Sequence, residues 1–172
     1  RLANALAALG CTPAELTWKA GVDAFSLGAM KNGALSTDAI VTFDPAVADQ
    51  LAYRTKRAGH VASKMRFQSA QFLALAEGDL WLANARHANA MAQRLAAGLG
   101  GIPGVTITQP VEANAVFALM PPAVTAALQE RFHFYVWNET TGEVRLMASW
   151  ATSESDVDEL VGAIASSAVN LV

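Results

Sequence analysis

The sequence is poor in charged residues, cysteine and long apolar runs, and each shortage excludes a class of protein. Twelve Lys and Arg against 15 Asp and Glu give a net charge of −3, so no basic surface for nucleic acid is expected. The single cysteine, Cys11, excludes an internal disulfide and fits a reducing compartment, so we expect a cytoplasmic protein. No apolar run reaches the roughly 18 residues that span a membrane. His87 and His133 have no partners at metal-ligand spacing, so no metal site is expected.

The most informative residue that is present is Lys31. It follows an apolar run, residues 22–27, and precedes Asn32-Gly33, a strong turn signal. A second strand-like run, residues 39–43, comes directly after. Burial at the end of a strand lowers the pKa of a lysine, and such a lysine can hold pyridoxal phosphate (PLP) covalently. Turn lysines are common, however, and the local sequence alone favours a solvent-facing lysine.

The wider sequence around Lys31 resembles the lysine segment of the threonine aldolases, which are PLP enzymes of the aspartate-aminotransferase-like fold (fold type I). Met30 stands where that family usually has threonine, and Lys31-Asn32-Gly33 is retained. The detail is most similar to the low-specificity threonine aldolase or phenylserine aldolase branch. The resemblance extends over essentially the whole chain, through residues 56–60, 63–68, 144–150 and 155–158.

This resemblance implies a role for five basic residues. Lys31 would carry the cofactor, and Arg145 would bind the α-carboxylate of the substrate, since a guanidinium grips a carboxylate through two hydrogen bonds. Arg1 would lie near the cofactor and substrate. Lys56 and Arg66 would reach an active site, that of a neighbouring subunit, as a basic pair suited to phosphate. Alternation along the strand also permits an exposed Arg145, and solvated helix charges are an equal alternative for Lys56 and Arg66.

His60 is a weaker candidate for a site residue. It could polarise the substrate hydroxyl, although a surface-loop histidine is the more ordinary interpretation. The four tryptophans are interpreted as core or interface aromatics rather than ligand platforms: Trp18, Trp81, Trp137 and Trp150.

The reaction implied is PLP-dependent cleavage of a β-hydroxy-α-amino acid (L-threonine, L-allo-threonine or phenylserine) to glycine and an aldehyde. Another fold-type-I activity, that of an aminotransferase or β-eliminating lyase, would also use a lysine and an arginine. The family implies a homodimer or homotetramer, and an apolar fraction of 53% is compatible with a large subunit interface.

We expect this chain to be part of such an enzyme, because members of the family are roughly twice as long and the chain does not begin with methionine. We expect the C-terminal half, without the aspartate that pairs with the pyridine nitrogen, the ring-stacking residue and most of the phosphate loop. The alternative to an active enzyme is therefore a structural fragment that is inactive alone.

The predicted fold class is α/β, with the end of the PLP-binding large domain followed by an α+β small domain. Residues 1–58 would complete the large domain, contributing parallel-sheet strands, residues 59–99 would form connecting long helices, and residues 100–172 the small domain. The patterns place helices at residues 1–9, 46–58, 63–76, 80–98, 123–131 and from about 153 to 168. They place further strands at residues 105–108, 115–120, 134–137 and 144–149.

Overall fold

The computed structural model describes residues 1–169 and divides into two compact units. The first unit is Arg1–Asn84, and the second comprises the described chain from Ala85 onward. Within residues 1–169, no helix is both long enough and apolar enough to cross a membrane.

The first unit combines helices with one two-stranded sheet. The helices are α1 (Leu2–Leu9), α2 (Pro45–Arg57), α3 (Arg66–Ala76) and the start of α4 (Leu80–Leu99), and the strands are β1 (Ala24–Gly28) and β2 (Asp38–Thr42). Helix α1 ends at Gly10, whose φ of 65° is left-handed. Helix α2 begins after Asp44, whose side chain accepts a hydrogen bond of 2.8 Å from the Ala46 amide.

The two strands of this unit pair antiparallel, with Ala24 opposite Thr42 and Gly28 opposite Asp38. The expectation of parallel-sheet strands here is therefore wrong for the pairing between β1 and β2. The physical reason is the short connection, residues 29–37, because a parallel crossover needs about a dozen residues or more. The strands themselves lie where the two apolar runs predicted them.

The second unit is a four-stranded antiparallel sheet with helices. Its strands are β3 (Thr106–Ile107), β4 (Ala115–Leu119), β5 (Tyr135–Asn138) and β6 (Glu143–Met147), in the order β3-β4-β6-β5. Its helices are the rest of α4, α5 (Pro122–Gln129) and α6 (Glu154–Val169). The predicted strands and helices of this unit are confirmed, with ends that differ by a few residues.

Side chains alternate across this sheet, and one face is the core of the unit. Val116 and Ala118 of β4 and Val144 and Leu146 of β6 are buried. They belong to one apolar cluster with helix residues Leu95, Leu99, Val124, Leu128 and Ile164. The intervening residues, Phe117 and Arg145 among them, therefore point to the opposite face.

Candidate active site

The lysine turn, residues 29–33, connects β1 to β2. Ala29 is buried, and Met30–Asn32 form one turn of 3₁₀-helix. The turn ends at Gly33, whose φ of 111° is a conformation that glycine adopts without strain. The Asn-Gly signal in the sequence thus identified a real reversal of the chain, and Lys31 lies at its centre.

Side chains from β2 and α4 hold this turn in place. Asp38 Oδ1 accepts a hydrogen bond from the Ala29 amide at 3.0 Å. Asn32 Nδ2 donates to the Trp81 carbonyl at 2.8 Å, and Asn84 Nδ2 donates to the Asn32 carbonyl at 2.9 Å. These bonds fix the backbone on both sides of Lys31, so the direction in which its side chain leaves the turn is defined.

Lys31 itself is exposed, as the local sequence alone favours, and the alternative of a lysine buried at the end of a buried strand is wrong. Strand β1 pairs with β2 alone, and its residues alternate between exposed and half-buried. Within residues 1–169, no carboxylate forms an ion pair with Lys31. Its amine is accessible to a ligand.

The backbone nitrogen of Arg1 lies within electrostatic range of both Lys31 and Asp38. The structure therefore brings Arg1, Lys31 and Asp38 into one neighbourhood.

Lys56 and Arg66 lie apart from this group. Lys56 is in the last turn of α2 and Arg66 begins α3; both are exposed. The Arg66 guanidinium lies over the Phe67 ring, 4.8 Å from its centroid. Among the described residues, no hydrogen bond or ion pair links either side chain to Lys31.

Ligand pockets commonly have volumes of about 300 to 1,000 Å³. The first unit has an open cavity of about 740 Å³ beside β2. His60 and Asp38 both line it. Gln68 also lines it, and its Oε1 atom is buried without a hydrogen-bond partner. Gln68 was not a candidate from the sequence, because its burial depends on how α3 packs.

Arg145 lies on the arginine face, which we define as Phe117, Tyr135, Trp137, Glu143 and Arg145 of the second unit. In the sheet Arg145 is opposite Phe117 on one side and Tyr135 on the other. Its guanidinium carbon is 4.3 Å from the centroid of the Trp137 ring. Its Nε atom is buried with no hydrogen-bond partner, and no described carboxylate forms an ion pair with it. A half-buried guanidinium without a counter-ion is suited to bind an anion.

Trp137 is not part of the described core. It is 53% exposed, and one face of its ring contacts the arginine that was the leading substrate-binding candidate. The sequence carried no sign of this, because the contact joins residues of different strands. Within residues 1–169, no group of His, Cys, Asp and Glu could hold a metal ion.

Comparisons with known proteins relate the lysine turn and the arginine face to a family. Two curated relatives are named low specificity L-threonine aldolase. The one from Pseudomonas sp. is 47% identical over 165 residues, covering 95% of this chain and 47% of the relative. The one from Pseudomonas aeruginosa is 45% identical over 161 residues, covering 93% of this chain and 46% of the relative. The chain thus spans about half the length of these relatives.

Solved structures show the same likeness. The Leishmania major threonine aldolase superposes with a TM-score of 0.85 at 28% identity, covering 95% of this chain and 48% of that one. A structure from work on directed evolution of transaminases by ancestral reconstruction gives a TM-score of 0.56 at 16% identity, covering 96% of this chain and 42% of that one, which is a likeness of fold alone.

The resemblance to threonine aldolases is thereby confirmed, and the fold is that of the fold-type-I enzymes. The family model described as Beta-eliminating lyase matches residues 1–122, which include the lysine turn. The chain belongs to the beta-eliminating lyase family.

Proposed function

We propose that the full-length protein uses PLP to cleave a β-hydroxy-α-amino acid, such as L-threonine, L-allo-threonine or phenylserine, to glycine and an aldehyde. The observation that carries this proposal is Lys31, an accessible amine without an ion-pair partner on a turn fixed by Asp38, Asn32 and Asn84. The names of the two Pseudomonas relatives support the reaction class.

The residues that are present fit the cofactor. Lys31 would hold PLP covalently, and the lysine turn limits where that attachment lies. When bound, PLP supplies an electron sink for the electron pair left as the Cα–Cβ bond breaks. Lys56 and Arg66 would contribute positive charge toward its phosphate, in the site of a neighbouring subunit, and Arg1 would lie close to Lys31.

Arg145 would bind the α-carboxylate of the substrate. Its guanidinium has no carboxylate partner among residues 1–169, and its buried Nε–H is left without an acceptor. An arginine that fixes the carboxylate also fixes the direction of the bonds at Cα, so the bond to be broken is held in a productive orientation. His60 is a candidate to polarise the β-hydroxyl, since it lines the cavity that Asp38 also lines.

The arrangement of the enzyme follows from the same proposal. Residues 1–58 would complete the PLP-binding large domain, and residues 100–172 would form the small C-terminal domain. Residues 59–99 would form the long helices that connect these two domains. The enzyme would be a cytoplasmic homodimer or homotetramer. Exposed apolar side chains on α2 and α3, Tyr53 and Leu73, are 78% and 60% exposed and are available to such an interface.

A second candidate reaction is β-elimination or transamination, because the family model is described as Beta-eliminating lyase and one structural neighbour comes from work on transaminases. Incubating the full-length protein with L-threonine and with L-phenylserine separates the two. We expect glycine together with acetaldehyde or benzaldehyde, and no product from the Lys31→Ala variant, with Lys19→Ala as the matched control. A keto acid in place of glycine would reject the aldolase proposal.

A further inference from the structure

We propose that Trp137 is a positioning residue for Arg145: its ring holds the guanidinium in the orientation that receives the α-carboxylate of the substrate. The proposal rests on the proposed function, because it assigns Arg145 to that carboxylate. It goes further by naming the residue that sets the geometry of the arginine and by specifying which part of the substrate is affected.

The first support is the contact between the two side chains. The Arg145 guanidinium lies 4.3 Å from the Trp137 ring centroid, well within the range of a cation–π contact. The Trp137 ring is braced in turn by Phe117, edge-on at a centroid distance of 5.7 Å and an interplanar angle of 69°. Three side chains from three neighbouring strands thus form one ordered group on the arginine face.

The second support is an irregularity in β5. Val136 is opposite Val144 and Asn138 is opposite Glu143, so Trp137 is an extra residue without a partner on β6. Such a bulge changes the direction of a side chain and is common near active sites. Here the bulged residue is the one whose ring contacts Arg145, and Trp137 as a whole is 53% exposed.

The third support is that the ring contact leaves the charge of Arg145 without a counter-ion. No described carboxylate forms an ion pair with Arg145. Its Nε is buried without a hydrogen-bond partner. Glu143, on the same face, accepts a hydrogen bond from the Thr108 hydroxyl and forms no ion pair with Arg145. The positive charge is therefore held in place and left for an anion from outside the described chain.

The expected consequence concerns binding of the carboxylate. A free arginine side chain loses rotamer freedom when it binds a ligand, and an arginine already held by a ring loses less. Removing the ring should weaken the binding of ligands that have a carboxylate and leave the binding of ligands without one unchanged. If Trp137 had only a general structural role, its removal would weaken the binding of both kinds of ligand.

The experiment measures the affinity of the PLP-loaded full-length protein for glycine and for glycinamide, which lacks the carboxylate, by titration calorimetry. For Trp137→Leu we expect the glycine Kd to rise about tenfold and the glycinamide Kd to stay within about twofold. Trp137→Phe, which restores an aromatic face, should recover most of the loss. The matched control is Trp150→Leu, a tryptophan of the same unit that is 45% exposed and makes no ring contact with a described arginine.

Each outcome decides the matter. An unchanged glycine Kd in Trp137→Leu, or equal weakening of glycine and glycinamide, would overturn the positioning role while the wild type still cleaves threonine. A wild type that neither binds glycine nor cleaves threonine would overturn the proposed function and this proposal with it. The glycine and glycinamide Kd values are also compared for Trp137→Met, because methionine is apolar and unbranched but has no ring. A folding failure of the leucine variant therefore does not decide the result.

Discussion

The lysine turn should lose its fixed conformation when its two anchors near the start of α4 are removed. Asn32→Ala deletes the 2.8 Å bond to the Trp81 carbonyl, and Asn84→Ala deletes the 2.9 Å bond to the Asn32 carbonyl. Each bond contributes about 1 kcal/mol net. The double variant should therefore lose about 2 kcal/mol locally, which is about 30-fold in the opening equilibrium of the turn.

Hydrogen–deuterium exchange of the full-length protein measures that equilibrium directly. The amides of Asn32 and Ala34 both donate to the Ala29 carbonyl, at 2.9 and 3.2 Å, so they exchange when the turn opens. We expect about fivefold faster exchange in each single variant and about 30-fold in the double variant. Arg86→Ala, an exposed residue of the same helix, is the control and should change nothing. Wild-type exchange in the double variant would refute the claim that these side chains fix the turn.

Three further predictions follow from the second unit. Arg145→Lys should raise the KM for L-threonine about 10- to 100-fold in steady-state kinetics, with a smaller change in kcat, because an ammonium cannot make the planar two-bond contact; an unchanged KM would remove Arg145 from substrate binding. Leu128→Ala, at a core residue only 2% exposed, should lower the free energy of unfolding in urea by about 2–5 kcal/mol, whereas a loss below about 0.5 kcal/mol would contradict the assigned core. Hydrogen bonds from the backbone and the hydroxyl of Ser153 lower the pKa of Asp156 below its ordinary 3.8. The contribution of Asp156 to the free energy of unfolding, made at the start of α6, is therefore present above pH 3.8 and is lost as the pH falls through the lower native pKa. NMR titration should show the lowered pKa, and Asp156→Asn should abolish this pH dependence.

Local sequence signals predicted the helices and the reversal at Lys31. Helices α1 and α2 lie within one residue of the predicted ranges 1–9 and 46–58. Their ends are set by neighbouring residues, Gly10 after α1 and Asp44 before α2. Asn32-Gly33 marks a real turn. These features depend on a few neighbouring residues, so a single sequence is enough to locate them.

Features that depend on distant residues were missed. The side chain that fixes the Asn32 carbonyl, Asn84, lies 52 residues along the chain. The contact between Trp137 and Arg145 depends on the strand register and on the bulge that shifts this register. The antiparallel pairing of β1 and β2 follows from the short connection between them, whereas the family resemblance predicts parallel-sheet strands.

The most direct test of the central claim, that Lys31 is the residue that holds PLP, is borohydride reduction of the full-length protein loaded with PLP, followed by peptide mass mapping. We predict a pyridoxyl group on Lys31 and none on Lys19, Lys56 or Lys64. Lys31→Ala should yield no reduced adduct, while Lys19→Ala should retain it. An adduct on another lysine, or one that persists in Lys31→Ala, would contradict the account.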